Sequence, residues 1–261
     1  MKKVNTKEIE NTVIGIYRRI NDKQGKFIYF KDFFEKCIPA SKDIICELRS
    51  ITAETYKEKH KKQQDFKLEN IPVATISCLC GYSKKQIIKR NDLIVLDIDP
   101  GDNQTMFDDE QLNDIKHKLF ALPFVYAVAL SASGKGLFVV IPISNTNQEM
   151  FEGYFRALEQ DFKEQYNVSI DQNCKNVNRL RYFSYDDNML IKHDQDIEYY
   201  EKVILEQQPE KQEVNKDLQQ KIENSFNNSD DLIYDDKFVY QTVKTLIDRG
   251  FSADDYRTWM I

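Results

Sequence analysis

The stretch Leu93-Ile94-Val95-Leu96-Asp97-Ile98-Asp99-Pro100 decides how this chain is read. A run so dense in β-branched and aliphatic residues reads as a buried strand. Two carboxylates interrupt its far end, two positions apart, and on a strand such positions share a face. Asp97 and Asp99 therefore sit side by side at the end of an apolar strand. Buried like charges are costly unless something neutralises them. A divalent metal would do so. The following Asp-Pro-Gly-Asp is also good turn chemistry, with Asp99 opening a turn and Asp97 solvated at the strand edge. On this stretch alone both readings stand.

Downstream, the periodicity alternates between the two regular patterns. Leu112, Ile115, Leu119 and Leu122 recur at helical spacing and predict a helix over 108–122. Residues 124–130 and 137–143 read as strands. Phe151, Tyr154, Phe155, Leu158 and Phe162 share one face of a helix over 148–166. Short strands are expected at 168–170 and 180–185. The order β-α-β-β-α-β is the ferredoxin-like or RRM-like arrangement, so the fold class is α+β. It implies an antiparallel sheet with both helices on one face and the other face free for a site.

Upstream, residues 8–20 and 42–64 read as helices, 72–80 as a strand and 81–85 as a turn, an N-terminal α/β module spanning 1–92. The second helix ends in the basic run YKEKHKKQQ, a solvated face or a nucleic-acid contact. Residues 93–204 form the core, so that 1–204 is one domain. The polar, aromatic-poor segment 205–234 reads as a linker, and 235–261 as the start of a truncated C-terminal helical domain.

Composition narrows the classes. The chain has 261 residues and is 41% hydrophobic, enough for a globular core. It holds no apolar run long enough to span a membrane and no apolar segment near Met1 of the secretory kind. Its five cysteines are an odd number, and Cys78-Leu79-Cys80 is too tight for an ordinary zinc knuckle. They read as reduced, mostly core residues of a cytoplasmic protein. Residues 1–92 carry 20 Lys/Arg against 12 Asp/Glu, whereas 93–261 carry 17 against 31. A basic front half and an acidic back half suit a phosphate-contacting surface beside a metal centre. The net charge of −6 argues against avid, non-specific duplex binding.

Two more motifs follow the first. Ser131 to Phe138 reads SASGKGLF. It lacks the Walker spacing and leads into a strand rather than a helix, so it is no P-loop. A turn of this kind either closes a plain hairpin or presents backbone N–H groups and Lys135 to a phosphate. In SIDQNCKNVNRLRYFSYD, Asp171 follows a strand-like Val-Ser-Ile, and Arg179 and Arg181 lie two apart. Paired arginines suit a triphosphate or a nucleic-acid backbone, or simply an ion-paired surface strand.

Taken in order, LDIDP, SGKGL and NRLRYFSYD resemble the archaeo-eukaryotic primase (primase-polymerase) superfamily, and within it the VirE N-terminal domain family. The resemblance covers about 10–200 and is strongest over 93–187. It implies a primase palm using two Mg²⁺ or Mn²⁺ ions held by Asp97, Asp99 and Asp171. It implies nucleotide phosphates at Ser131, Ser133 and Lys135, with Arg179 and Arg181 as the basic pair behind the third motif. The implied activity is nucleotidyl transfer from nucleoside triphosphates on a single-stranded DNA or RNA template, in a replication protein of a mobile element or phage. One departure is Phe138, where the superfamily usually has histidine; phenylalanine neither donates to a phosphate nor moves a proton. The alternative is a degenerate primase-fold module that binds nucleic acid or nucleotide and serves a helicase. In either case Phe138 is expected to face the carboxylates, where its ring could stack on a base. A relaxase is excluded in practice by three scattered histidines.

Overall fold

A computed structural model describes residues 2–80, 86–103, 107–144 and 147–205. The chain divides into two units, 1–205 and 206–261. The expected turn at 81–85, most of the linker and the C-terminal helical segment lie outside the described residues.

The segment expected as a helix over 8–20 forms two elements instead. After β1 (Lys3–Asn5), the short helix α1 (Thr6–Glu10) is capped by the Asn5 side chain, which accepts from Lys7 N–H at 3.0 Å. The chain then straightens into β2 (Val13–Tyr17). Val13, Ile14 and Ile16 are β-branched and Gly15 is a poor helix former, so local preference favours the strand. β3 (Lys26–Tyr29) folds back on β2 as an antiparallel hairpin. Next come α2 (Phe30–Asp32), one π turn at Phe33–Cys37, α3 (Ile38–Ala40) and α4 (Lys42–Ser50). The helix expected over 42–64 breaks at 51–55 and resumes as α5 (Tyr56–Asn70). Thr55 is the reason: its hydroxyl accepts from Glu58 N–H at 3.2 Å, a cap that starts a new helix.

The strand expected over 72–80 likewise divides into β4 (Val73–Thr75) and β5 (Cys78–Cys80), which enter different sheets. Buried Asn91 holds the break. Its amide donates to Ile76 O at 2.7 Å and to Val13 O at 3.1 Å. β6 (Ile87–Arg90) pairs with β5.

The central elements are β7 (Leu93–Ile98), α6 (Asp109–Phe120), β8 (Ala127–Leu130), β9 (Leu137–Pro142) and α7 (Gln148–Tyr166). A capping box of Asp108 and Gln111 starts α6, and left-handed Asn167 (φ 53°) ends α7. Three short strands follow: β10 (Leu180–Tyr182), β11 (Leu190–Ile191) and β12 (Asp196–Glu198). The result is a mixed α/β architecture of antiparallel sheets. The central sheet runs β11-β8-β9-β7, with β9 between β7 and β8. A second sheet runs β10-β4-β2-β3, and β1 pairs with β12. The N-terminal residues are thus woven into the rest rather than set apart.

Two expectations fail here. Residues 168–170 form no strand: Asp171 N–H donates to Asp97 O at 2.8 Å, and the chain turns at once into a 3₁₀ turn, Gln172–Lys175. And β10 leaves the central sheet for β4, so 93–187 is not one sheet.

Both faces of the central sheet are buried. Ile94, Leu96 and Ile98 of β7 pack with Leu137, Val139 and Ile141 of β9 and with residues of both α6 and α7. Period-2 alternation sends Leu93, Phe138, Val140, Ala127 and Ala129 to the opposite face. There they meet Phe30, Phe33, Phe34, Ile45 and Leu48 of the N-terminal elements. The face expected to be free is therefore covered, with Val95 and Asp97 of β7 left partly exposed on it. Among the described residues, no helix is long and apolar enough to cross a membrane.

Candidate functional site

Asp97 stands in β7 directly across from Phe138 of β9, which in turn lies across from Ala129 of β8. Arg181 of β10 fills the space above. Its guanidinium carbon sits 3.9 Å from the Phe138 ring centre, and its Nη1 donates to Asp97 Oδ1. The three side chains form a stack of ring, cation and carboxylate. Arg181 is 7% exposed as a side chain and Asp97 18%. The Arg181 Nε has no acceptor among the described residues, a buried donor left unspent.

Asp171 arrives from the 3₁₀ turn after α7. Its Oδ1 accepts from Asn173 N–H at 2.9 Å, and its Oδ2 accepts from Arg179 at 2.9 Å. Asp97, Asp171 and Cys174 offer three ligand atoms all within 4.8 Å of one another. The third member of this cluster is Cys174 rather than Asp99. Its Sγ accepts from Asp97 N–H at 3.3 Å, and burial pushes its thiol pKa up. Each arginine of the third motif thus serves one carboxylate, Arg181 for Asp97 and Arg179 for Asp171. Arg181 is buried by this role; Arg179 stays largely exposed.

Asp99 lies just past the end of β7 and lines a groove of about 830 Å³. No side chain among the described residues donates a hydrogen bond to its carboxylate. Burial first, and then the charge of Asp97, push its pKa from 3.8 up to about 6, against the pull of Arg181 and Lys67. Burial lowers the pKa of Lys67 in turn. Asn103 ties this corner together, its amide donating to Asp99 O at 2.8 Å and Ser169 O at 2.9 Å.

The groove runs between α5, the turn after β8, and the start of α6. Ser133, Gly134 and Lys135 line it. Ser131 does not: it is buried, its hydroxyl 3.2 Å from that of Ser133 and its N–H bonded to Gly136 O, so it closes the hairpin. Lys135 reaches Asp109 at 3.8 Å. Two glycines are required by geometry. Gly134 takes φ +71° beneath the Arg49 guanidinium, and a Cβ on Gly136 would stand 2.3 Å from Ile98 O.

Sequence reasoning missed three groups. Arg49 donates to the carbonyls of Ser131, Ala132 and Tyr185, clamping the turn. Lys116 and Asp186 form a buried pair at 2.7 Å in the groove floor, and Asp186 also accepts from Leu130 N–H at 2.9 Å. Cys174 carried a signal, its place three residues after Asp171, which reads equally well as a core position. The expectation that Phe138 faces the carboxylates holds in direction. Its ring is nevertheless fully buried beneath Arg181 and cannot stack on a base.

Residues 66–190, just under half of the chain, match the family model described as BT4734-like, N-terminal domain. That span holds all three motifs. No curated protein matches the chain.

Two outcomes follow from this geometry. Arg181→Met strands a half-buried carboxylate and should cost about 3 kcal/mol in urea unfolding, with part recovered in Asp97→Asn/Arg181→Met. A cost below about 1 kcal/mol would show that solvent, not Arg181, neutralises Asp97. Asp99 supplies a pH signature. A carboxyl whose folded pKa lies above its unfolded value holds its proton more tightly when folded. Stability therefore falls as pH rises from about 4 through 6 and stays low above that. In chelator-treated buffer, Asp99→Asn should match the parent near pH 4 and exceed it by about 1–3 kcal/mol at pH 7.5. Parallel pH profiles for the two chains would contradict the assignment.

Proposed function

We propose that the chain is a metal-dependent nucleotidyl transferase of the primase-polymerase kind, acting on nucleoside triphosphates along a single-stranded template. The observation that carries this reading is the meeting of Asp97 and Asp171 from distant parts of the chain. Asp99, which feels the charge of both, lines a groove that also receives Ser133 and Lys135, whereas Asp97 and Asp171 lie outside that lining. Two further facts support it. β7-α6-β8-β9, with β9 between β7 and β8, is a split β-α-β unit, which an RRM-like palm would contain. The matched family is related to primase and VirE-like N-terminal domains.

The carboxylates suit a hard divalent cation, whereas the third clustered donor, the Cys174 thiol, is a soft ligand that such an ion does not favour. Asp99 offers a carboxylate that no side chain among the described residues satisfies, and oxygen ligands favour Mg²⁺ or Mn²⁺. Asp97, Asp99 and Asp171 would hold such ions, which when bound supply Lewis acidity toward the attacking hydroxyl and the leaving pyrophosphate. The protein's own groups do the rest. The turn at 133–135 offers the Lys135 ammonium to phosphate oxygens, its Gly134 N–H being spent on Ser131 O at 2.9 Å. Exposed Arg179 can swing from Asp171 to a phosphate, whereas Arg181, pinned between Phe138 and Asp97, keeps Asp97 in place.

A second reading has one observation in its favour. Arg181 already neutralises Asp97. That pair would suit a module that binds nucleotide or strand without turnover, whereas the burial of Phe138 among the N-terminal helices makes it a core residue and takes it out of that argument. Extension of a labelled primer on a single-stranded template, with deoxy- and ribonucleotides in separate arms and Mg²⁺ or Mn²⁺, separates the two. The enzyme reading expects incorporation that drops more than about 100-fold in Asp171→Asn or Asp99→Asn, beyond what loss of an outer-shell partner alone costs. No incorporation by the unmodified chain in any arm would leave the binding module standing.

A further inference from the structure

We infer that α5 is a track for single-stranded nucleic acid, with the Tyr56 and His60 rings receiving bases and Lys59 and Lys67 receiving phosphates. The inference rests on the nucleic-acid part of the reading above and names the surface that would hold the strand.

α5 is fifteen residues long and buries none of them. A helix in a globular fold ordinarily stays folded by burying an apolar stripe. Here the anchors are few. Phe66 packs partly against the core beneath, and the Gln63 amide donates to Leu48 O at 3.2 Å. Tyr56, Lys59, His60, Gln63, Gln64 and Lys67 recur at helical spacing and form one wall of the groove. This wall is polar, exposed at Tyr56 and His60 and half-buried at Lys59, Gln63, Gln64 and Lys67.

Its content is specific. Tyr56 is 63% exposed, and its ring stacks on His60 with centroids 6.2 Å apart and planes 25° from parallel. Neither ring fills a core. A stacked pair at a groove edge is a platform on which flat, unpaired bases can continue the stack. Around it α5 carries five lysines against three carboxylates, so the rings sit in a locally positive stretch of an acidic chain. Phosphates beside stacked bases are what that combination complements.

The groove favours one strand over two. Across from α5 stand Asp99 and Asp102, which would repel a second phosphate backbone, while Asp109 is paired with Lys135. Base faces are presented to the rings only when the bases are unpaired. A strand laid along α5 would pass Lys67, beside Asp99, and so bring its bases to the end of the groove where the carboxylates gather.

Fluorescence anisotropy with labelled oligothymidylate and oligouridylate, and with a duplex of equal length, tests this on the full chain. Single strands of either sugar should bind more tightly than the duplex. Tyr56→Ala and His60→Ala should each weaken single-strand binding about tenfold, and Tyr56→Phe should leave it intact. Lys59→Ala should lower the slope of log affinity against log salt by about 0.7. The same measurements on Asp171→Asn keep this outcome separate from the enzyme reading. If that variant binds strands normally and α5 variants weaken it, the track stands whether or not nucleotides are incorporated. If α5 variants with unchanged thermal unfolding bind strands as well as the parent, the inference is overturned. Equal competition by an acidic peptide would also overturn it, because charge rather than base stacking would then explain the binding.

Discussion

The carboxylate of Asp97 is the charge around which this fold is arranged. β7 needs every alternate position for its apolar contacts with α6 and α7, which leaves Asp97 on the face that the N-terminal elements cover. A lone carboxylate there would be a large cost. Arg181 offsets it, and that requirement explains an otherwise odd topology. β10 leaves the central sheet and pairs with β4, and this placement sets Arg181 over Phe138 and against Asp97. The ion pair therefore links two sheets that share no ladder. Phe138 acts as the seat for the guanidinium, a cation–π contact in a desolvated place.

Around that centre, the groove is built by clamps rather than by apolar packing. Arg49 reaches from α4 to three carbonyls and fixes a turn whose small residues could otherwise take many shapes. Lys116 and Asp186 fix the end of β8 from below. With the turn and the strand end both held, Asp99 is brought to the groove largely buried and beside the charge of Asp97, which is why its proton is retained to higher pH. A site assembled in this way is rigid on the side of the turn and open on the side of α5.

Much of this was legible in the sequence where periodicity is long. α7 begins and ends at 148 and 166 as its aromatic stripe predicts, and β7 and β9 follow from their aliphatic runs. The errors fall where one residue outweighs a pattern. Thr55 splits a helix by capping, Asn91 splits a strand by bonding two carbonyls, and Gly15 among β-branched neighbours turns an expected helix into β2. Asp97 and Asp171 were legible as chemistry because carboxylates at the end of apolar runs demand a partner. Which partner was not legible. Arg181, Arg49, Lys116 and Cys174 reach the site across separations of tens of residues, and no local spacing encodes such pairings. The same limit applies to Phe138. Its face was readable from period 2, but its burial depends on where β10 goes.

The proposal at the centre is that the carboxylates of Asp97, Asp99 and Asp171 hold divalent cations and that Arg181 and Arg179 are the counter-ions of Asp97 and Asp171 when none is bound. Calorimetric titration of the chelator-treated chain with Mn²⁺ tests it most directly. Saturable binding of one or two ions is expected, abolished in Asp171→Asn/Asp99→Asn and unaffected by Lys135→Ala. A chain that binds no Mn²⁺, or binds it equally well without those carboxylates, would contradict the claim and leave the cluster as a purely structural ion-pair network.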